Sequence, residues 1–114
     1  MYEKDLTNLL NILNSADKIL DYTSNFQNSS NLENDQKTFD AILMNFIIIG
    51  ESTGRLSEEL KSTYNDIPWR FIYGLRNIIA HDYFGVLAEE IWEIIQNDLP
   101  EFRRQIQNII DRKR

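Results

Sequence analysis

Arg76, Asn77, His81 and Tyr83 lie within one short stretch, residues 76 to 83, and His81 is the only histidine of the chain. A guanidinium neutralises charge that builds on phosphoryl oxygens, and an imidazole takes a proton from a hydroxyl or gives one to a leaving oxygen near neutral pH. Together they suit transesterification of an RNA phosphodiester without a metal. With one histidine per chain, the second proton-transfer role falls to a second subunit, a tyrosine or water. On an ideal helix Asn77 and His81, four apart, share a face, so the amide is expected to touch the imidazole and fix its tautomer. Arg76 and His81 are five apart and about 140° around from each other. They meet at one phosphate only if the helix ends at the histidine or a second copy supplies the other group, which points to a composite, dimeric site.

The elements that must position these residues are helical. Leu6, Leu9, Leu10, Leu13, Ile19 and Leu20 recur at three- and four-residue spacing, predicting an amphipathic helix over 3–23. Residues 24–34 read as a loop whose asparagines supply a helix N-cap near Asn31 or Asn34. A long helix follows over 35–63, apolar almost all round between Ala41 and Ile49, with Gly50 and Gly54 allowing another helix close. Glu51, beside that run, needs a cationic partner, Arg76 or Arg70. Asp66 and Pro68 mark the start of a third helix, 68–81, which carries the motif and breaks over 82–85, where Tyr83 and Phe84 can fold back on the bundle. A fourth helix begins near Val86 with Leu87, Ile91, Trp92, Ile94 and Ile95 inward, Asn97-Asp98-Leu99-Pro100 kinks or interrupts it, and a last helical piece follows over 101–111. Trp69 and Trp92 read as core or interface anchors. The fold class is all-α: an antiparallel up-and-down bundle of four to five helices, with residues 1–114 as one domain.

Composition narrows the function. The chain has 114 residues, 42% of them apolar, and no cysteine. Thiolate metal sites are excluded, and a single histidine leaves no histidine pair for a structural zinc or haem site, so no metal and no cofactor is expected. No apolar run approaches the roughly 20 residues that span a bilayer, and the first residues lack a signal-peptide pattern, so a cytoplasmic protein without a membrane partner is expected. The net charge of −6 argues against coating nucleic acid through the general surface field. Residues 101–114 nevertheless carry Arg103, Arg104, Arg112, Lys113 and Arg114 against Glu101 and Asp111, a balance of +3 that leaves −9 for residues 1–100. That basic tail either steers RNA or stabilises a helix C-terminus.

Arg76-Asn77-Ile78-Ile79-Ala80-His81-Asp82-Tyr83 resembles the Arg-Asn-x-x-x-His-x-Tyr signature of HEPN-domain proteins, in the HepT-like toxin branch encoded beside minimal nucleotidyltransferases. Ile49-Gly50-Glu51, Ile67-Pro68-Trp69, Tyr83-Phe84 and Ile91-Trp92 followed by Asn97-Asp98-Leu99-Pro100 resemble the same branch in order and approximate spacing. The resemblance implies a HEPN-like bundle that homodimerises with its two motifs facing across a cleft. It implies the toxin of a type II toxin-antitoxin pair, a metal-independent RNA endonuclease with Arg76 and His81 as catalytic residues. Asn77 is the polar neighbour that would support them, while Glu51 reads from its surroundings as a supporting, structural carboxylate paired with Arg76 or Arg70. The implied antitoxin is a small nucleotidyltransferase that uses ATP to adenylylate Tyr83, placing negative charge and bulk where RNA phosphates must sit. The alternative is a non-catalytic HEPN subunit that presents substrate to a nucleotidyltransferase or regulates it. A structural reading of Tyr83 is an aromatic packing at the end of the bundle.

Overall fold

The computed structural model describes residues 2–112. Helix α1 (Glu3–Tyr22) buries Leu9, Ile12, Ala16 and Ile19 on one stripe, and α2 (Ser29–Glu33) is a single short turn. Helices α3 (Gln36–Gly54), α4 (Glu58–Thr63), α5 (Trp69–His81), α6 (Ala88–Glu93) and α7 (Leu99–Arg112) follow. Helix α3 packs on both α1 and α5, α1 also packs on α7, and α2 packs on α6. The chain is an all-α, HEPN-like bundle. Its core includes Ile42, Phe46 and Ile49 from α3, Ile72 and Ile79 from α5, and Phe102 and Ile106 from α7. With α1 and α5 on its two sides, α3 needs the nearly all-round apolar pattern that its sequence shows.

Several boundaries depart from the sequence expectations. The 24–34 loop contains α2, capped by Asn28, whose side chain accepts from Ser30 N–H at 3.0 Å while Asn31 Oδ1 accepts from Asn28 N–H at 3.1 Å. The cap of α3 is Asp35, which accepts from Thr38 N–H at 3.1 Å. Neither Asn31 nor Asn34 is an N-cap. The helix expected over 35–63 ends at Gly54 and restarts at Glu58, because Ser57 takes the N-cap position and accepts from Leu60 N–H at 3.1 Å. Asp66 is exposed and caps nothing, and Pro68 occupies the N-cap position of α5. At Pro100 the chain does not break: residues Ile94–Asp98 form one wide π turn that joins α6 to α7 without interruption, and this local widening accommodates the backbone hydrogen bond that Pro100 cannot donate. Leu87 is 58% exposed rather than inward, and Leu10 also faces out. Trp69 is buried and Trp92 packs partly buried against the core. In the basic tail, Arg112 lies over the Tyr64 ring at 6.0 Å, whereas Lys113 and Arg114 fall outside the described residues.

The α3–α4 corner is tied to α1 by a buried carboxylate. Asp5, 2% exposed, accepts from Ser57 N–H at 2.8 Å and from Ser57 Oγ at 2.6 Å. These bonds let the N-cap serine face both its own helix and α1. Asp5→Ala leaves the Ser57 N–H without its acceptor in a nearly closed site. It is expected to lower the unfolding free energy by about 2 kcal/mol in denaturant titrations.

Candidate active site

Arg76 sits on α5 against Gly50 of α3. A Cβ on Gly50 would lie 2.1 Å from Arg76 Cβ and 2.7 Å from Arg76 Cγ, so only a glycine leaves room for the arginine stem. One helical turn on, a Cβ on Gly54 would lie 2.7 Å from Tyr73 Cε1. The two glycines thus seat two successive side chains of α5 on α3, as their four-residue spacing predicts.

The guanidinium is held on several sides. Its Nη2 forms an ion pair with Glu51 Oε1, and its Nη1 donates to Asn77 Oδ1 at 2.7 Å. Its carbon lies 5.9 Å from the Tyr73 ring centroid, within cation–π range. Glu51 therefore has Arg76 as its partner, one of the two arginines the sequence offered. Asn77 differs from expectation. Its carbonyl oxygen serves the adjacent Arg76, and no hydrogen bond joins it to His81 among the described residues. The arginine's long stem folds back to the neighbouring amide, which idealised Cβ directions do not capture. Arg76 Nε is buried and has no partner.

His81 is the last residue of α5 and is exposed. Asp82 N–H closes the helix on Ile78 O at 2.9 Å, after which Tyr83–Gly85 form a single 3₁₀ turn. The helix does end at the histidine, one of the two conditions under which Arg76 and His81 could serve one phosphate. Among the described residues the imidazole makes no hydrogen bond or ion pair, so it is free to meet a ligand.

Tyr83 folds back on α3. Its hydroxyl donates to Asp40, whose same oxygen accepts from Gln36 Nε2 at 2.7 Å. This hydrogen bond to a carboxylate holds the phenol pKa above its ordinary value. Phe84 packs edge-on to the Tyr83 ring at 5.2 Å but is otherwise 98% exposed, so only one of the two aromatics reaches the bundle. Sequence reasoning passed over Asp40. The available signal was its position as the sole acid between Asp35 and Glu51.

Several large apolar side chains stand exposed: Met44 and Ile48 on α3, Ile78 on α5, Phe84 beyond it. Among the described residues no three His, Cys, Asp or Glu side chains gather as a metal site would require, and no helix is long and apolar enough to cross a membrane.

A family profile described as "Ribonuclease HepT-like" matches residues 12–109. A protein of Methanocaldococcus jannaschii named as a "putative RNase" is 33% identical over 111 residues, covering 96% of this chain and 91% of that protein. A second from the same organism, also named a "putative RNase", is 27% identical over 99 residues, 87% of this chain and 90% of its own length. The "probable ribonuclease HepT" of Thermococcus cleftensis is 29% identical over 75 residues, 66% of this chain and 68% of that protein. No solved structure gives a significant match. By a profile that spans most of its length, the chain belongs to the HepT-like ribonuclease family.

Proposed function

We propose that the chain is the ribonuclease toxin of a type II toxin–antitoxin pair, a metal-independent RNA endonuclease acting as a homodimer. The observation that carries this reading is the contrast between its two key side chains. Arg76 is locked in place by Glu51, Asn77 and the Gly50 contact, while His81 stands exposed and unpaired among the described residues at the end of the same helix. A fixed guanidinium stabilises charge on the non-bridging phosphoryl oxygens without reorganising during the reaction. The imidazole removes the 2′-hydroxyl proton as the 2′ oxygen bonds to phosphorus. The bond to the 5′ oxygen breaks, and that oxygen takes up a proton, leaving a 2′,3′-cyclic phosphate and a 5′-hydroxyl. A second copy supplies the second proton-transfer group, and the uncovered Met44, Ile48, Ile78 and Phe84 offer it an apolar seat beside the motif.

The same reading assigns Tyr83 as the site where a cognate nucleotidyltransferase attaches AMP from ATP. Its hydroxyl is at the surface beside the motif, and the Asp40 carboxylate is placed to receive the phenolic proton when the oxygen attacks the α-phosphorus and pyrophosphate leaves. The test combines intact mass and RNA cleavage on wild-type and Tyr83→Phe protein, each incubated with the nucleotidyltransferase of the adjacent reading frame and ATP. The expected result is AMP on wild type only, with its cleavage silenced, and unmodified, still active Tyr83→Phe. AMP on both proteins would move the modification elsewhere.

A second reading, a non-catalytic subunit that presents substrate to a nucleotidyltransferase, draws support from the net charge of −6 and from the Glu51 carboxylate already pairing with Arg76. Absence of cleavage by the wild-type protein with and without its partner would favour it.

A further inference from the structure

Beside Arg76, and away from His81, the end of α3, helix α4 and the first turns of α5 enclose an open groove of about 530 Å³ lined by Thr53, Lys61, Arg70 and Tyr73 among others. Its walls hold groups that packing leaves unused. Thr53 is 1% exposed, yet its hydroxyl has no hydrogen-bond partner. That oxygen is enclosed behind the groove wall rather than open to a ligand. Arg70 is exposed and has no ion-pair partner among the described residues, whereas Lys61 is held by Glu58 at 3.1 Å. Tyr73 presents a half-exposed ring whose edge rests on Gly54 and over which the Arg76 guanidinium lies. The ring is therefore a stiff aromatic platform continuous with the proposed phosphate-binding arginine.

The spacing suits a strand. Tyr73 is three residues from Arg70 and three from Arg76, so the arginines are about 9 Å apart along the helix axis with the ring between them. An unstacked strand can place successive phosphates on the two guanidinium groups and turn the intervening base onto the phenol ring. Aromatic faces of this kind accept bases of single strands, because in a duplex both faces of each base are already stacked. Local cations are also what a chain of net charge −6 needs to hold a polyanion.

We propose that this groove is a nucleotide subsite for single-stranded RNA adjoining the cleavage site, with a base stacked on Tyr73 and a phosphate on Arg70. The assignment rests on the ribonuclease reading and extends it to the class of RNA recognised.

The test uses the full chain carrying His81→Ala, a fluorescent single-stranded oligoribonucleotide and the matching duplex, with anisotropy as readout. Arg70→Ala and Tyr73→Ala are each expected to weaken single-strand binding, Tyr73→Ala by roughly ten- to hundred-fold, and Tyr73→Phe to retain it. Arg70→Ala is also expected to reduce the slope of log affinity against log salt by about one. With His81 present, the same substitutions should raise KM far more than they lower kcat. Arg70 is exposed and outside the core, so Arg70→Ala decides the matter if Tyr73→Ala does not fold. Unchanged affinity in both alanine variants, or a duplex bound as tightly as the single strand, would overturn the subsite. A wild-type chain that cuts no RNA overturns the ribonuclease reading, and the anisotropy then judges the subsite separately.

Discussion

His81→Ala is expected to lower the rate of RNA cleavage by roughly 10²- to 10⁴-fold while leaving far-UV circular dichroism and the unfolding midpoint unchanged. The two halves of this expectation have separate causes. His81 is exposed at the last position of α5, outside the buried cluster, and makes no hydrogen bond among the described residues, so its removal costs the fold nothing that packing supplied. The backbone bond that closes the helix runs from Asp82 N–H to Ile78 O and survives the change. What is lost is the chain's only imidazole, the side-chain type suited to taking a proton from a hydroxyl and giving one to a leaving oxygen. His81→Gln separates proton transfer from contact, since the amide can hydrogen-bond to RNA but cannot exchange a proton at pH 7. Cleavage by the glutamine variant at the wild-type rate would remove His81 from the chemistry.

Legibility differed between elements for physical reasons. Helices α1 and α3 were readable because a one-sided stripe and an all-round apolar run are direct consequences of where a helix is packed. The approach of α5 to α3 was also readable, since Gly50 and Gly54 are spaced one turn apart and the close contacts fall on both. What stayed hidden depends on partners far away in sequence. The break at Arg55–Ser57 is fixed by Asp5, fifty-two residues upstream, which ties Ser57 to α1 as that serine caps α4. Within the candidate site, the pairing of Glu51 with Arg76 was one of two alternatives, and the structure chooses it because Gly50 admits the arginine stem next to that carboxylate. The placement of Asn77 failed for the opposite reason. Helical spacing puts its Cβ on the face of His81, but a flexible neighbour reached its oxygen first. The pairing of Asp40 with Tyr83 was not legible, although Asp40 stands alone as an acid between Asp35 and Glu51, because Tyr83 reaches it through a 3₁₀ turn whose direction no periodicity encodes.

The close helix approach makes Gly50→Ala the more informative substitution for Arg76. An added Cβ would meet Arg76 Cβ at 2.1 Å and Arg76 Cα at 3.4 Å. Those atoms belong to the root of the side chain and to the backbone, so no rotamer change relieves the clash, and α3 must move away from α5. Overpacking of this kind costs typically about 1–3 kcal/mol, against which alanine returns up to about 1 kcal/mol of helix propensity. A net loss of about 1–2 kcal/mol in unfolding free energy is expected. The shift also pulls Arg76 from Glu51, and a displacement of about 1 Å in a positioned catalytic group can cost on the order of 10²-fold in rate. Gly74→Ala is the matched control: a Cβ there meets no heavy atom within 4 Å, so the same propensity gain should appear as added stability of about 0.5–1 kcal/mol. Opposite signs of stability change for two Gly→Ala substitutions in the same bundle would show that contact rather than backbone entropy decides at Gly50. If Gly50→Ala loses cleavage while Arg76→Lys, which keeps the charge but not the planar fork, loses as much, position and shape of the guanidinium both matter, and charge alone does not account for its role.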